Sequence, residues 1–284
     1  YEIAKNLKIN ANICLRINPD IAPNTHKKIS TGEKETKFGI NSEEIISIYK
    51  KLHELDYINP VGLGVHIGSQ IFDFSFFHKA YSNLKDIADN LKKSGYKVPT
   101  LDLGGGIGIN YEKDERPNFD SYKKIISELF FNSDYKLSFE PGRSLVGEAG
   151  VLITKVIRNK TNKNKNFIVV DAAMNNLIRP TLYDAYHEVE PVKKKSGQEK
   201  LVDIVGPICE TGDYLALNRK FVEVKRNDLL TIKTTGAYSS VMKSNYNSRI
   251  DAVEILIYHG KPYQLKEIDT VQDIISKEKL IDFN

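Results

Sequence analysis

The chain has 284 residues, 40% apolar and 27% charged, with 41 basic side chains against 37 acidic ones. That is enough to bury a sizeable core in two domains, and the near balance of charge excludes both a disordered polyelectrolyte and a basic nucleic-acid-binding stripe. No apolar run approaches the roughly 20 residues that span a bilayer, the amino terminus lacks a secretory pattern, and Cys14 and Cys209, without metal-type spacing, fit a reducing cytoplasm.

In chain order, Ala11 to Ile17 reads as a strand, Ser42 as the cap of a helix over Glu43 to Glu54, and Val61 to His66 as a second strand. A helix over Phe76 to Ser94, a strand at Thr100 to Leu103, a helix over Phe119 to Phe130 and a strand at Lys136 to Phe139 follow. Apolar strands alternating with amphipathic helices give βα units and a parallel sheet. After Gly147 the pattern turns to strands and loops, with Val151 to Arg158, Asn166 to Asp171, Leu201 to Val205, Leu229 to Thr234 and Ala252 to Tyr258 as β segments. Lys160 to Lys165 and Lys193 to Lys195 lie among polar residues as solvated loops, and Asp269 to Ser276 makes a short helix.

The expected organisation is therefore an α/β domain over 1–146 and a mostly antiparallel β-sandwich or barrel-like domain over 147–284. Four strand-helix units are half of an eight-stranded barrel, and a half-barrel exposes its inner face and two open sheet edges. The expectation is thus a fragment: the carboxy-terminal part of a (β/α)8 TIM-type barrel, followed by the β domain.

Three strand ends carry chemistry. His66-Ile67-Gly68-Ser69 puts an imidazole and a hydroxyl at a strand mouth, though a lone histidine is more often structural. Gly104, Gly105 and Gly106 follow the strand Leu101-Asp102-Leu103 and leave backbone N–H groups able to approach a phosphate; their spacing is not that of a dinucleotide fingerprint. Glu140-Pro141-Gly142-Arg143 offers a carboxylate and further backbone donors, or simply a buried ion pair holding a loop. In the second half, Tyr183 follows Arg179 by four residues inside the stretch from Asp171 to His187, a pair suited to a carboxylate. Cys209-Glu210, between Gly206-Pro207 and Gly212-Asp213, sets a thiol beside an acid, and Gly236-Ala237-Tyr238 ends a strand.

Together, from about Leu15 to Ile275, these stretches resemble the diaminopimelate decarboxylases, pyridoxal-phosphate enzymes of fold type III. The resemblance implies decarboxylation of meso-2,6-diaminopimelate to L-lysine and carbon dioxide. It implies that His66 stacks on the pyridine ring, that Glu140 keeps the ring nitrogen protonated, and that Ser69, the three glycines, Gly142, Arg143 and Tyr238 hold the phosphate. Arg143, Arg179 and Tyr183 would grip the distal carboxylate, Glu210 the distal amine, with Tyr238 close by. Cys209 would protonate the α-carbon, and Cys209 and Glu210 would act across a homodimer interface. Thr211 stands where the family usually has serine. The loop Thr25 to Gly32, with Lys37 to Ile40, also resembles the family beside the site. The family's cofactor-carrying lysine, in a Tyr-x-x-Lys-Ala pattern, is not found; Lys243 lies in the wrong element. Two alternatives keep the fold: a decarboxylase of ornithine, arginine or a carboxylated polyamine such as carboxynorspermidine, and a non-catalytic decarboxylase-like regulator.

Overall fold

Short apolar strands separated by one-sided helices build the first of two units, Tyr1–Asn110 with Asp114–Leu145; Tyr111–Lys113 with Val146–Asn284 form the second. The computed structural model describes residues 1–21, 23, 32, 36–112, 116–163 and 165–281. The expected site loop at Thr25 to Thr31 lies outside them.

Unit 1 runs α1 (Glu2–Leu7), β1 (Ala11–Asn18), β2 (Ile40–Asn41), α2 (Ser42–His53), β3 (Ile58–Val65), α3 (Ser75–Lys93), β4 (Thr100–Asp102), α4 (Phe119–Phe130), β5 (Lys136–Ser138) and α5 (Arg143–Val146). The strands form one parallel sheet in the order β2-β1-β3-β4-β5. Its register aligns Leu15, Leu63, Leu101 and Leu137 in one row across four strands. α3 covers the sheet because Phe77, Ala80, Tyr81, Leu84, Ile87, Ala88 and Leu91 recur at helical spacing and are all buried. Tyr49 reaches in from α2, fully buried, and its hydroxyl donates to the carbonyls of Pro60 (3.1 Å) and Lys97 (2.8 Å).

Ser42 is not the cap of α2. Asn41 precedes the helix, and the Ser42 hydroxyl bonds instead to the Asn18 carbonyl and the Asn83 amide oxygen, each at 3.3 Å. The hydroxyl therefore ties the helix start to β1 and α3.

Unit 2 contains β6 (Leu152–Asn162), β7 (Lys165–Val170), α6 (Arg179–Tyr183), β8 (Val189–Pro191), β9 (Lys200–Val205), β10 (Tyr214–Phe221), β11 (Leu229–Ile232), β12 (Ile255–Tyr258), β13 (Lys261–Gln264) and α7 (Val271–Ile275). Six strands make a mixed sheet, β10-β9-β7-β6-β11-β8, antiparallel except for the β7–β9 pair. Val156, Ile168, Val170, Ile204, Leu215, Leu230 and Ile232 form its core. A separate hairpin pairs β12 with β13. No described helix is long and apolar enough to cross a membrane.

Candidate active site

The carboxyl ends of the parallel strands gather the unit 1 residues, as they do in parallel α/β folds generally. β4 ends in Asp102, whose Oδ1 accepts the Gly104 N–H at 2.8 Å and whose Oδ2 accepts the Ser138 hydroxyl at 3.0 Å. That carboxylate pins the start of the glycine strip. Gly104 and Gly106 have φ of 66° and 104°, in the left-handed region that favours glycine. A Cβ on Gly105 would lie 2.2 Å from the Glu140 carbonyl oxygen, and one on Gly106 2.2 Å from that of Gly68. The strip is therefore closed to side chains by backbone on both sides.

Its donors are less available than the sequence suggested. The Gly104 N–H is held by Asp102, and the Gly105 N–H donates to His66 Nδ1 at 3.2 Å. Only Gly106 keeps an N–H without a partner among the described residues.

The Gly105 contact also fixes the histidine. Because Nδ1 accepts, the proton of a neutral His66 ring sits on Nε2. Burial and the nearby Arg16 guanidinium push its pKa below the ordinary value. Arg16 also donates from Nη2 to the His66 carbonyl at 3.0 Å. Glu140 Oε2 lies 3.9 Å from Nδ1; since that nitrogen has no proton to give, the two are neighbours rather than an ion pair. The Glu140 side chain is 61% exposed, so it is available to a ligand. Arg143 is buried, and its Nε donates to Ser69 Oγ at 3.2 Å, which orients the hydroxyl. Among the described residues, a Cβ on Gly142 would meet nothing within 4 Å. Space beside the strand end is open there. The thiol of Cys14, on β1, is pushed to about 11 by burial and by Asp102 and Glu140, and so stays protonated at neutral pH.

The depressed His66 pKa has a consequence for stability. The unfolded chain takes up a proton near pH 6.5 while the folded ring still refuses it, so this contribution is complete above about pH 6.5 and is lost as pH falls toward the lower folded value. Denaturant midpoints compared between pH 7.5 and pH 5 should fall more steeply in the wild type than in His66→Asn.

In unit 2 one stretch of chain supports the other candidates. The Asp171 carboxylate accepts the Thr154 hydroxyl (2.7 Å) and the Lys155 N–H (2.8 Å), while its carbonyl accepts Arg249 Nη2 (2.7 Å). Asn175 donates to the carbonyls of Ser244 (2.8 Å) and Tyr246 (2.9 Å). Asp213 takes the Met174 and Ile208 N–H groups, each at 2.7 Å, and Thr181 donates to the Gly212 carbonyl at 2.6 Å. Burial raises the Asp213 pKa, and the two N–H bonds oppose that rise. The stretch from Asp171 to Thr181 thus anchors the carboxyl end of the Gly206–Asp213 loop, and Asp213 ties that end back to Ile208. Cys209 and Glu210 project from it, exposed, and a hydrogen bond with Glu210 raises the Tyr246 phenol pKa.

Arg179 begins α6 and is 6% exposed. Its Nη1 lies 2.7 Å from His187 Nε2, and its guanidinium carbon sits 4.4 Å from the centroid of the Tyr111 ring. Without a substrate carboxylate, then, this cation still has partners. Tyr183, half-buried, closes the same helix one turn on. Tyr238 is 42% exposed and has φ of 58°, as does Thr234. Gly236 lies between them, where a Cβ would come 1.8 Å from the Val146 carbonyl oxygen. Two non-glycine residues in the left-handed region mark this as a strained turn.

Sequence reasoning passed over Arg16, Asp102, Tyr111, His187 and Tyr246. A charged residue inside the short apolar strand Leu101-Asp102-Leu103 was the available signal for Asp102; for Tyr111 and Tyr246 there was none.

Residues 1–147 match the family model of the pyridoxal-dependent decarboxylases, pyridoxal binding domain. The chain is 44% identical over 284 residues to the diaminopimelate decarboxylase of Zymomonas mobilis, covering 99% of this chain and 67% of that one. It is 42% identical over 279 residues to that of Pseudomonas aeruginosa, covering 98% and 67%. The crystal structure of a diaminopimelate decarboxylase from Helicobacter pylori in complex with L-lysine superimposes with a TM-score of 0.92 at 36% identity, over 97% of this chain and 68% of that one. The fold and the matched domain are those of a pyridoxal-dependent decarboxylase. Within that class the chain belongs to the diaminopimelate decarboxylases, carboxy-lyases of lysine biosynthesis, and spans about two thirds of the length of these relatives.

The residues of unit 1 fit pyridoxal phosphate. An oriented hydroxyl backed by a guanidinium, a strip closed to side chains and an open Gly142 suit a phosphate, while a neutral imidazole and an exposed carboxylate suit a pyridine ring. None of the described lysines of unit 1 stands at the carboxyl end of a strand.

Proposed function

We propose that this chain acts on meso-2,6-diaminopimelate through the residues described above. Pyridoxal phosphate, when bound, accepts the electron pair left as carbon dioxide departs. His66, a neutral imidazole whose tautomer is fixed by Gly105, would pack on the cofactor ring, and Glu140 would keep the pyridine nitrogen protonated. Ser69, steadied by Arg143, would hold the phosphate with Gly106 and Gly142, and Tyr238 would contribute as well. Arg143 therefore serves the cofactor through Ser69 first. Arg179 and Tyr183 bind the distal carboxylate, Glu210 the distal amine, and Cys209 returns a proton to the α-carbon.

The observation that carries this reading is the common scaffold. The stretch that presents Arg179 also holds the Cys209–Glu210 loop through Asp213 and Thr181. A cation for a carboxylate and an acid for an amine thus share one support in the chain. The exposure of Cys209 and Glu210 supports their service to a partner's cofactor in a homodimer. The parallel order β2-β1-β3-β4-β5, with helices between strands, supports reading unit 1 as part of a (β/α)8 barrel.

Arg179→Gln tests the substrate. Removing one partner of a desolvated charge pair costs about 2 to 5 kcal/mol, so kcat/KM for diaminopimelate should fall at least about tenfold. Cofactor absorbance should persist. A wild-type preference for L-ornithine or L-lysine as substrate, each with a single carboxylate, overturns the reading.

A further inference from the structure

Arg179 is flanked by a histidine that the decarboxylation itself does not use. His187 is 0% exposed, and both its ring nitrogens are engaged: Nε2 faces Arg179 Nη1 at 2.7 Å and Nδ1 faces the Lys233 carbonyl at 2.8 Å. An arginine guanidinium can only donate. Nε2 must therefore accept, which leaves the proton on Nδ1, where the Lys233 carbonyl receives it. The ring is a neutral acceptor whose tautomer is set by the backbone just after β11.

Tyr111 completes the arrangement. Its ring face lies under the guanidinium at 4.4 Å, and it meets the His187 ring edge-to-face, with centroids 5.2 Å apart and planes at 80°. His187 fixes the guanidinium along one N–H direction, and Tyr111 fixes its plane. Neither adds charge. A guanidinium fixed in plane and in one N–H direction has less rotational freedom to lose on binding an anion.

We propose that His187, with Tyr111, positions Arg179 for the distal carboxylate and so helps set the choice of a substrate that carries one. This rests on the diaminopimelate reading. L-lysine, formed by decarboxylation at the D-centre, keeps the same distal carboxylate; cadaverine has the same carbon chain and none.

The test uses the cofactor-loaded enzyme. In His187→Phe, KM for diaminopimelate and the inhibition constant of L-lysine should both rise about tenfold, with kcat within about threefold of wild type and cadaverine inhibition within about twofold. His187→Gln, whose amide oxygen can accept from Arg179, should recover most of the loss. If His187→Phe does not fold, Tyr111→Leu takes its place with the same expected split between L-lysine and cadaverine. Equal weakening of both ligands, or no change in either, overturns the positioning role. If Arg179→Gln leaves KM unchanged, the substrate reading fails instead; if Arg179→Gln raises it and the His187 and Tyr111 variants do not, only the positioning role fails.

Discussion

Gly105→Ala should yield a protein that no longer takes up pyridoxal phosphate. The new methyl would stand 2.2 Å from the Glu140 carbonyl oxygen and 3.0 Å from its carbon, and both are backbone atoms that cannot rotate aside. Either the strip or the strand end carrying Glu140 must shift. A shift of the strip removes the N–H that holds His66 Nδ1, and the imidazole loses its fixed tautomer and orientation. A shift of the strand end moves Glu140, and Arg143 with it. Overpacking of this kind costs typically about 1 to 3 kcal/mol, and more where backbone must move. The visible absorbance of the bound cofactor should fall to background while far-ultraviolet circular dichroism stays near wild type. Gly142→Ala is the contrast: its methyl meets no atom of the described residues within 4 Å, so the apo fold should be unchanged, and any weakening of cofactor binding reports what occupies that space. Full cofactor loading of Gly105→Ala would show that the glycines are no more than a turn.

The parallel sheet was legible because its strands are short apolar runs and its helices one-sided; α3 carries seven buried residues at nearly ideal helical spacing. The strand ends that bear His66, the glycines and Glu140 were legible for the same reason. β10 was not. Its residues Tyr214–Phe221 lose the period of two at two register shifts against β9, and Asn218 has φ of 52°. β8 has three residues, too few for any period to show. The hairpin of β12 and β13 turns on His259 and Gly260, with φ of 47° and 72°, a two-residue positive-φ turn whose glycine was the overlooked cue. In the site, residue identity revealed which groups have chemistry but not which were already engaged. The Gly104 and Gly105 N–H groups and the Arg179 guanidinium looked available because their partners, Asp102, His66, His187 and Tyr111, reach them only through the fold.

Cys209→Ala should lower kcat by about 10²- to 10⁴-fold, the usual contribution of a positioned general acid, and leave KM near wild type. The loop that presents the thiol is held by Asp213 at the Met174 and Ile208 N–H groups and by Thr181 at Gly212, none of which involves the sulfur. The variant should therefore fold normally, and its defect should lie in the proton step. Glu140→Gln, on the cofactor side, should be inactive for a different reason, since an amide cannot hold the ring proton as a carboxylate does. These two defects can be combined to ask whether the thiol serves its own subunit. If Cys209 acts across a two-fold interface, random exchange makes half the dimers mixed, and each mixed dimer has one of its two sites intact, so about a quarter of wild-type turnover should return. If thiol and carboxylate belong to one protomer's site, every mixed dimer carries one damaged thiol site and one damaged carboxylate site. No activity above the two parents, after exchange has been verified by mass spectrometry of the mixed dimer, would place Cys209 in the same site as Glu140 of its own chain.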